Sequence, residues 1–206
     1  MDNLTTDTYR TITSPSEGTY SQLRSKFLAF AFHVETEEDV KQHVTDIQKK
    51  YYDARHACYA YMIGSDRSRF RANDNGEPSG TAGKPILGQI NSYELTNILI
   101  IVVRYFGGIK LGTSGLIQAY RQAAIEAIEA AEIVEKTIDD DISIHFQFPM
   151  MNTVMRVVKD IGPQIVGQEY DGIGCKMTLR IRRSLMPSLH SAFENIHGIE
   201  IKESEG

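Results

Sequence analysis

Residues 98–116 read ILIIVVRYFGGIKLGTSGL, six β-favouring apolar residues followed at once by a glycine-rich turn. Such an unbroken run, Ile98 to Val103, describes a strand buried on both faces and central in its sheet. From Leu116 onward the apolar residues Ala119, Tyr120, Ala123, Ala127, Ile128 and Ala131 recur at helical spacing, so the turn joins a buried strand to a long alanine-rich helix. Arg104 stands at the strand's end, Lys110 in the turn, and Gly112 to Gly115 at the helix start. In a strand–loop–helix of this kind, backbone N–H groups and the helix dipole attract an anion.

A second glycine segment, NDNGEPSGTAGKPILG, occupies residues 73–88. Glycine in such numbers implies backbone that other residues avoid, or backbone that approaches something closely. Charge points to the same region. The chain carries 22 Lys plus Arg against 27 Asp plus Glu, a formal −5. Yet between Arg67 and Arg121 seven basic residues face three acidic ones, Asp74, Glu77 and Glu94. The expected site is therefore one concave basic surface. Lys84, Arg104, Tyr105, Gly107, Gly108, Lys110, Gly112 and Thr113 would bind RNA or an anion, supported by Glu77, Ser79, Gly80, Thr81 and Gly83. The bland alternative is a pair of tight turns with solvated charges.

Outward from this centre, Ser25 to Val34 reads as a strand, and Thr36 as the N-cap of a helix with Val40, Val44, Ile47 and Tyr51 on one face. Strands follow over 57–63 and 67–72, then a helix over 86–95. The pattern stops after Val134, where residues 135–138 and the triplet Asp139, Asp140, Asp141 form a polar joint. The boundary is placed there, giving domains 1–136 and 137–206. Beyond it Ile142, Ile144, Phe146 and Phe148 alternate with polar residues as a strand with one buried face. Met151, Val154, Met155 and Val158 make a helical stripe, with the methionines read as core. Strands over 165–170 and 176–182 flank the turn at Asp171–Gly174, Pro187 opens a helix that ends near Gly198, and residues 199–201 close the chain as a strand. The order β-α-β-β-α-β is the ferredoxin-like split arrangement, so the fold class is α+β.

Several function classes fail at named residues. A Walker loop ending at Lys84 would need glycine at 78 and Ser or Thr at 85, where the chain has Pro78 and Pro85. The nucleophile elbow fails at Leu116, and Ser79 lacks its flanking pattern. His56 and Cys58 alternate on one strand face and could be two metal ligands or a base and nucleophile, but nothing adjacent completes a site. Asp74 and Glu77 could hold a cation as a loop pair, though turn chemistry explains Asp74 as well. No resident metal and no cofactor is expected. The second domain shares its strand order with RNA-recognition modules, but its open face would carry Ser143, His145, Gln147, Thr178, Arg180 and Arg182 without a base-stacking platform. Two distant cysteines, Cys58 and Cys175, make no disulfide framework, and the N-terminal MDNLTTDTYR has neither a basic nor an apolar signal region. The expected setting is cytoplasmic, with no membrane contact.

The segments EPSGTAGKPIL (77–87) and VRYFGGIKLGTSGL (103–116), with RHACYAY (55–61) upstream, together resemble the YigZ/IMPACT family over essentially the whole chain. Where the family's usual helix start has glycine and arginine, this chain has Ser114 and Gln118. The resemblance implies an N-terminal domain like the second domain of a small-subunit ribosomal protein and a C-terminal domain like the last domain of elongation factor G. Both of those relatives work on the ribosome. Eukaryotic IMPACT proteins restrain a starvation-responsive translation kinase with the help of a further N-terminal domain, so the resemblance here is to the bacterial branch. The expected function is a non-enzymatic, translation-associated regulatory protein whose partner is RNA, the ribosome or a translation-related protein. The alternative is an enzyme acting on a phosphorylated small molecule, with Lys84, Arg104 and Lys110 as anion clamp and His56 or Glu77 as acid–base group.

Overall fold

A computed structural model describes residues 7–203, which form two compact units: residues 9–136, and residues 137–203 together with 7–8. The elements of the first unit are β1 (Thr8–Ile12), β2 (Ser16–Gln22), β3 (Ser25–His33), α1 (Glu37–Lys50), β4 (His56–Ile63), β5 (Arg69–Asn73), α2 (Gly83–Ser92), β6 (Ile98–Tyr105), α3 (Gly112–Glu129) and β7 (Ile133–Thr137). An antiparallel five-stranded sheet runs in the order β2-β3-β6-β4-β5.

The apolar run does sit at the centre, as β6, with every residue from Ile98 to Val103 at 0% exposure. Its side chains divide by parity. Ile98, Ile100 and Val102 join Ile86 and Ile90 of α2 and Ala119, Ala123 and Ala127 of α3 in one core; Leu99, Ile101 and Val103 join Val40 and Ile47 of α1 in another. Two covered faces explain why an antiparallel strand lacks the usual polar alternation. Helix α1 starts with a full capping box, in which Thr36 Oγ1 accepts from the Asp39 amide and the Asp39 carboxylate accepts from the Thr36 amide.

The sequence reading missed β1, β2 and β7. β1 and β7 form a separate two-stranded sheet, so part of what read as a polar joint is a strand. Its exposed Glu135 and Lys136 carry no hydrophobic alternation. β2 is an edge strand rich in polar residues, and α3 packs so closely over it that a β-carbon at Gly18 would strike the Glu126–Ala127 backbone.

The second unit contains β8 (Asp139–Gln147), α4 (Met151–Ile161), β9 (Gln164–Tyr170), β10 (Gly174–Arg182), α5 (Met186–Glu194) and β11 (Ile199–Glu203). The sheet order β11-β8-β10-β9 is that of a ferredoxin-like fold. Ile142, Ile144 and Phe146 face Val154, Val158, Leu189 and Phe193. The acidic triplet opens β8, and arginines neutralise two of its three members: Arg180 donates to both oxygens of Asp141 and Arg183 to both of Asp140. Two inward assignments are corrected. Phe148 begins a 3-10 turn, is 44% exposed and stacks on Tyr170 at 6.1 Å; Met155 is 39% exposed on the outer side of α4.

Candidate functional site

The candidate side chains of the first unit collect where β4, β6 and β3 have adjoining ends. Register places His56 opposite Arg104 and Arg104 opposite Phe27, so these three form a row on the α3 face, as residues directly opposite on neighbouring strands share a face. The loop after β5 folds over this row and delivers Glu77. Its Oε1 accepts from Arg104 Nη1 at 2.7 Å and from the Tyr120 hydroxyl at 2.9 Å. Glu77 and Arg104 side chains are 4% and 8% exposed, so this is a buried ion pair at the floor of a cleft of about 630 Å³. The guanidinium carbon lies 5.6 Å from the Phe27 ring centre and 5.5 Å from that of Phe106, a sandwich suited to a planar cation. Arg104 Nε is buried without a hydrogen-bond partner.

His56 lines the same cleft, and its Nδ1 lies 2.9 Å from the Asn75 carbonyl. A carbonyl only accepts, so Nδ1 carries the hydrogen and, in the neutral ring, Nε2 is left as acceptor. Two places further along the strand, the Cys58 thiol donates to the Asp74 carbonyl at 2.9 Å, and the Tyr120 hydroxyl lies 3.4 Å from its sulfur. Burial pushes the Cys58 thiol up to about 12. The buried sulfur, hydrogen-bonded to the Asp74 carbonyl, does not line the cleft that His56 lines, and a thiol held protonated is a poor nucleophile. Among the described residues there is no cluster of three or more His, Cys, Asp or Glu side chains that could hold a metal ion.

The two glycine segments turn out to be opposites. In the first, the Asp74 carboxylate accepts from the amides of Gly80, Ala82 and Gly83 at 2.8, 3.0 and 2.8 Å. The start of α2 is thus already occupied by an anion from its own chain. Burial opposes ionisation of Asp74, but the amides of Gly80, Gly83 and Ala82 outweigh it and hold the carboxyl below the usual range. Thr81 is spent on the Pro78 carbonyl. In the second segment no side chain caps α3, and Leu111, Gly112 and Thr113 line the cleft. That 18-residue helix therefore opens its positive end onto the Arg104 floor.

Of the residues expected from sequence, the structure brings His56, Glu77, Arg104, Tyr105, Lys110, Gly112 and Thr113 to one cleft. Ser79, Gly80, Thr81, Gly83 and Lys84 do not line it, nor do Gly107 and Gly108. The exposed Lys84 lies over its own loop, near Asp74. Gly107 has a packing role: its amide donates to Ser25 Oγ at 3.1 Å, and a β-carbon there would strike the Arg24–Ser25 backbone. Gly107→Ala should destabilise the first unit by about 2–3 kcal/mol through overpacking. Gly108 has a φ of +84° but open space around it, so Gly108→Ala should cost only about 1 kcal/mol. Urea denaturation of the two variants checks the ranking, and an equal cost would contradict it.

Sequence reasoning missed Asp53, Arg55 and Phe106, which also line the cleft, and Asp74 as the filler of the other loop. Phe106 carried a usable signal, being an aromatic inside a glycine-rich turn. Asp53 accepts from the Tyr105 hydroxyl at 2.7 Å, a pairing across 52 residues that no local pattern announces.

An antiparallel sheet with helices on both faces, followed by a ferredoxin-like unit, is a mixed α+β architecture similar to that of a crystal structure of a hypothetical protein. That structure covers 97% of this chain and 98% of its own at a TM-score of 0.74 and 24% identity, a likeness of fold. The Impact N-terminal domain family matches residues 23–128. IMPACT family member YigZ of Escherichia coli is 31% identical over 149 residues, 71% of this chain and 73% of that relative. IMPACT family member YvyE of Bacillus subtilis is 40% identical over 115 residues, 56% of this chain and 53% of that relative, so the match spans about half of the latter's length. The chain belongs to the IMPACT family. No helix among the described residues is long and apolar enough to cross a membrane.

Proposed function

We propose that this chain is a translation-associated regulatory binding protein that contacts single-stranded RNA, free or on the ribosome, through the cleft of its first unit. The observation that carries this reading is the pairing of an uncapped α3 start with the buried Arg104, whose Nε lacks a partner. Together they form an oxyanion site with Lys110 and the exposed ring of Phe106 alongside. Cationic groups, helix amides and an aromatic ring are the components by which proteins hold single strands. The link to translation rests on membership of the IMPACT family and on what the motif resemblance implies. Glu77 is engaged by Arg104 and Tyr120, and Cys58 is held protonated, which weighs against covalent or carboxylate-driven catalysis here.

Fluorescence anisotropy with a labelled single-stranded oligoribonucleotide, read across a salt series, tests the proposal. Lys110→Ala should weaken binding and reduce the salt slope by about 0.7, the contribution of one phosphate contact on a single strand. His56 supports the second reading, since its Nε2 is left as an acceptor in the cleft. Absence of RNA or ribosome association at low salt, together with turnover of a phosphorylated metabolite that His56→Gln abolishes, would replace the binding proposal with the enzymatic one.

A further inference from the structure

We infer that the cleft takes a terminal phosphate monoester of a nucleotide, its phosphate between Arg104 and the start of α3 and its base against Phe106. This rests on the RNA reading above and narrows it. Arg104 spends Nη1 on Glu77, and the two phenyl rings fix the plane of its guanidinium. Nε has no protein partner, and the edge that Nε shares with Nη2 is the one a phosphate or carboxylate engages with two parallel hydrogen bonds. A buried donor without an acceptor is costly, so the site is completed by an incoming oxyanion.

Depth selects a chain end. The Arg104 and Glu77 side chains are at least nine-tenths buried, so a group that reaches them enters at the bottom of the cleft. A phosphodiester within a chain carries a nucleoside on each side and leaves two non-bridging oxygens. A monoester carries one nucleoside and presents three oxygens with a charge of about −1.5 to −2 at neutral pH. Three oxygens match the three donor groups at hand: the Arg104 edge, the amides at residues 112–113, and Lys110 at the rim. Arg55 adds a further positive charge, while Asp53 is taken up by Tyr105. Phe106 stacks one face on Arg104 and is 56% exposed, leaving ring surface for a base. The volume, about 630 Å³, falls within the range of small-ligand sites, roughly 300–1,000 Å³.

The same chemistry could arrive as an RNA end or as a free mononucleotide, and the test separates them. Binding to the intact protein is measured by competition for a labelled oligoribonucleotide carrying a 5′-phosphate, using unlabelled chains with a 5′-phosphate, a 3′-phosphate or two hydroxyl ends, and a nucleoside 5′-monophosphate. The expected result is that a phosphorylated end binds at least about tenfold tighter than the hydroxyl-ended chain, and that Arg104→Gln and Lys110→Ala erode this advantage. Phe106→Ala should weaken the phosphorylated ligands without removing the preference. The wild-type comparison needs no variant, so a misfolded Arg104→Gln protein leaves the test intact. Equal binding of phosphorylated and hydroxyl-ended chains overturns the monoester inference and leaves the RNA reading standing. Binding of the mononucleotide alone supports the monoester and overturns the RNA reading. Failure of every ligand to bind overturns both.

Discussion

Replacing Glu77 with alanine is expected to destabilise the first unit by about 3–5 kcal/mol, the cost of removing one partner from a buried ion pair. The effect is large because two buried groups share one carboxylate oxygen. Arg104 loses its protein acceptor while still enclosed by Phe27 and Phe106. The Tyr120 hydroxyl loses its acceptor in the α3 core, 3.4 Å from the Cys58 sulfur. A second substitution should recover much of the loss. In Glu77→Leu combined with Arg104→Met the charge is gone as well as its partner, and apolar replacements for a buried pair are often close to neutral. Urea denaturation of the singles and the double forms a cycle whose coupling term measures the pair. A single Glu77→Ala variant within 1 kcal/mol of wild type, on the scale of an exposed salt bridge, would contradict the buried-pair description.

Asp74→Ala is expected to cost about 2–3 kcal/mol, or roughly 5–10 °C in Tm, because it strips three amides of a charged acceptor at the start of α2. The pH dependence separates this from a simple loss of packing. The folded carboxyl is held below its ordinary value, and the unfolded one titrates near 3.9. Stabilisation by the ionised group is therefore complete above the unfolded value and is lost as the pH falls through the folded one. The gap between wild type and Asp74→Ala should be constant from about pH 7 to 5 and narrow below about pH 4. Thermal melts over that range decide it, and a gap that widens on acidification would mean that the carboxylate is not what the amides bind.

Features encoded locally were legible in the sequence. The centre of the large sheet showed itself because every residue of 98–103 is apolar, and α1 because Thr36 precedes Val40, Val44, Ile47 and Tyr51 at helical spacing. The ferredoxin-like unit showed itself because Ile142, Ile144 and Phe146 alternate with polar neighbours. Strands β2 and β7 were illegible because edge strands with exposed faces leave no period in the hydrophobicity. At the site, the glycine loops and cations were visible, but their energetic state was not. That Asp74 fills one loop depends on a carboxylate reaching amides six to nine residues away, beyond the reach of local capping rules. That Arg104 is paired depends on Glu77, 27 residues upstream, being brought over by a tertiary crossing. Composition alone overstates the positive charge of the cleft, since the carboxylates that answer it are distant in the chain.

The small sheet of β1 and β7 has a temporal meaning for a chain made from its N-terminus. Before Ile133–Thr137 is made, Thr8–Ile12 can make the contacts of Arg10 with Leu95 and Thr96 and of Thr11 with His33 and Asn97, but its strand ladder is completed only after the central sheet and its three helices have been synthesised. The pairing then closes a loop of more than a hundred residues, whose entropic cost rises only slowly with length. The last strand of the first unit thus completes the pairing of its first strand and joins the two ends of that unit, while Ile12 enters the main core.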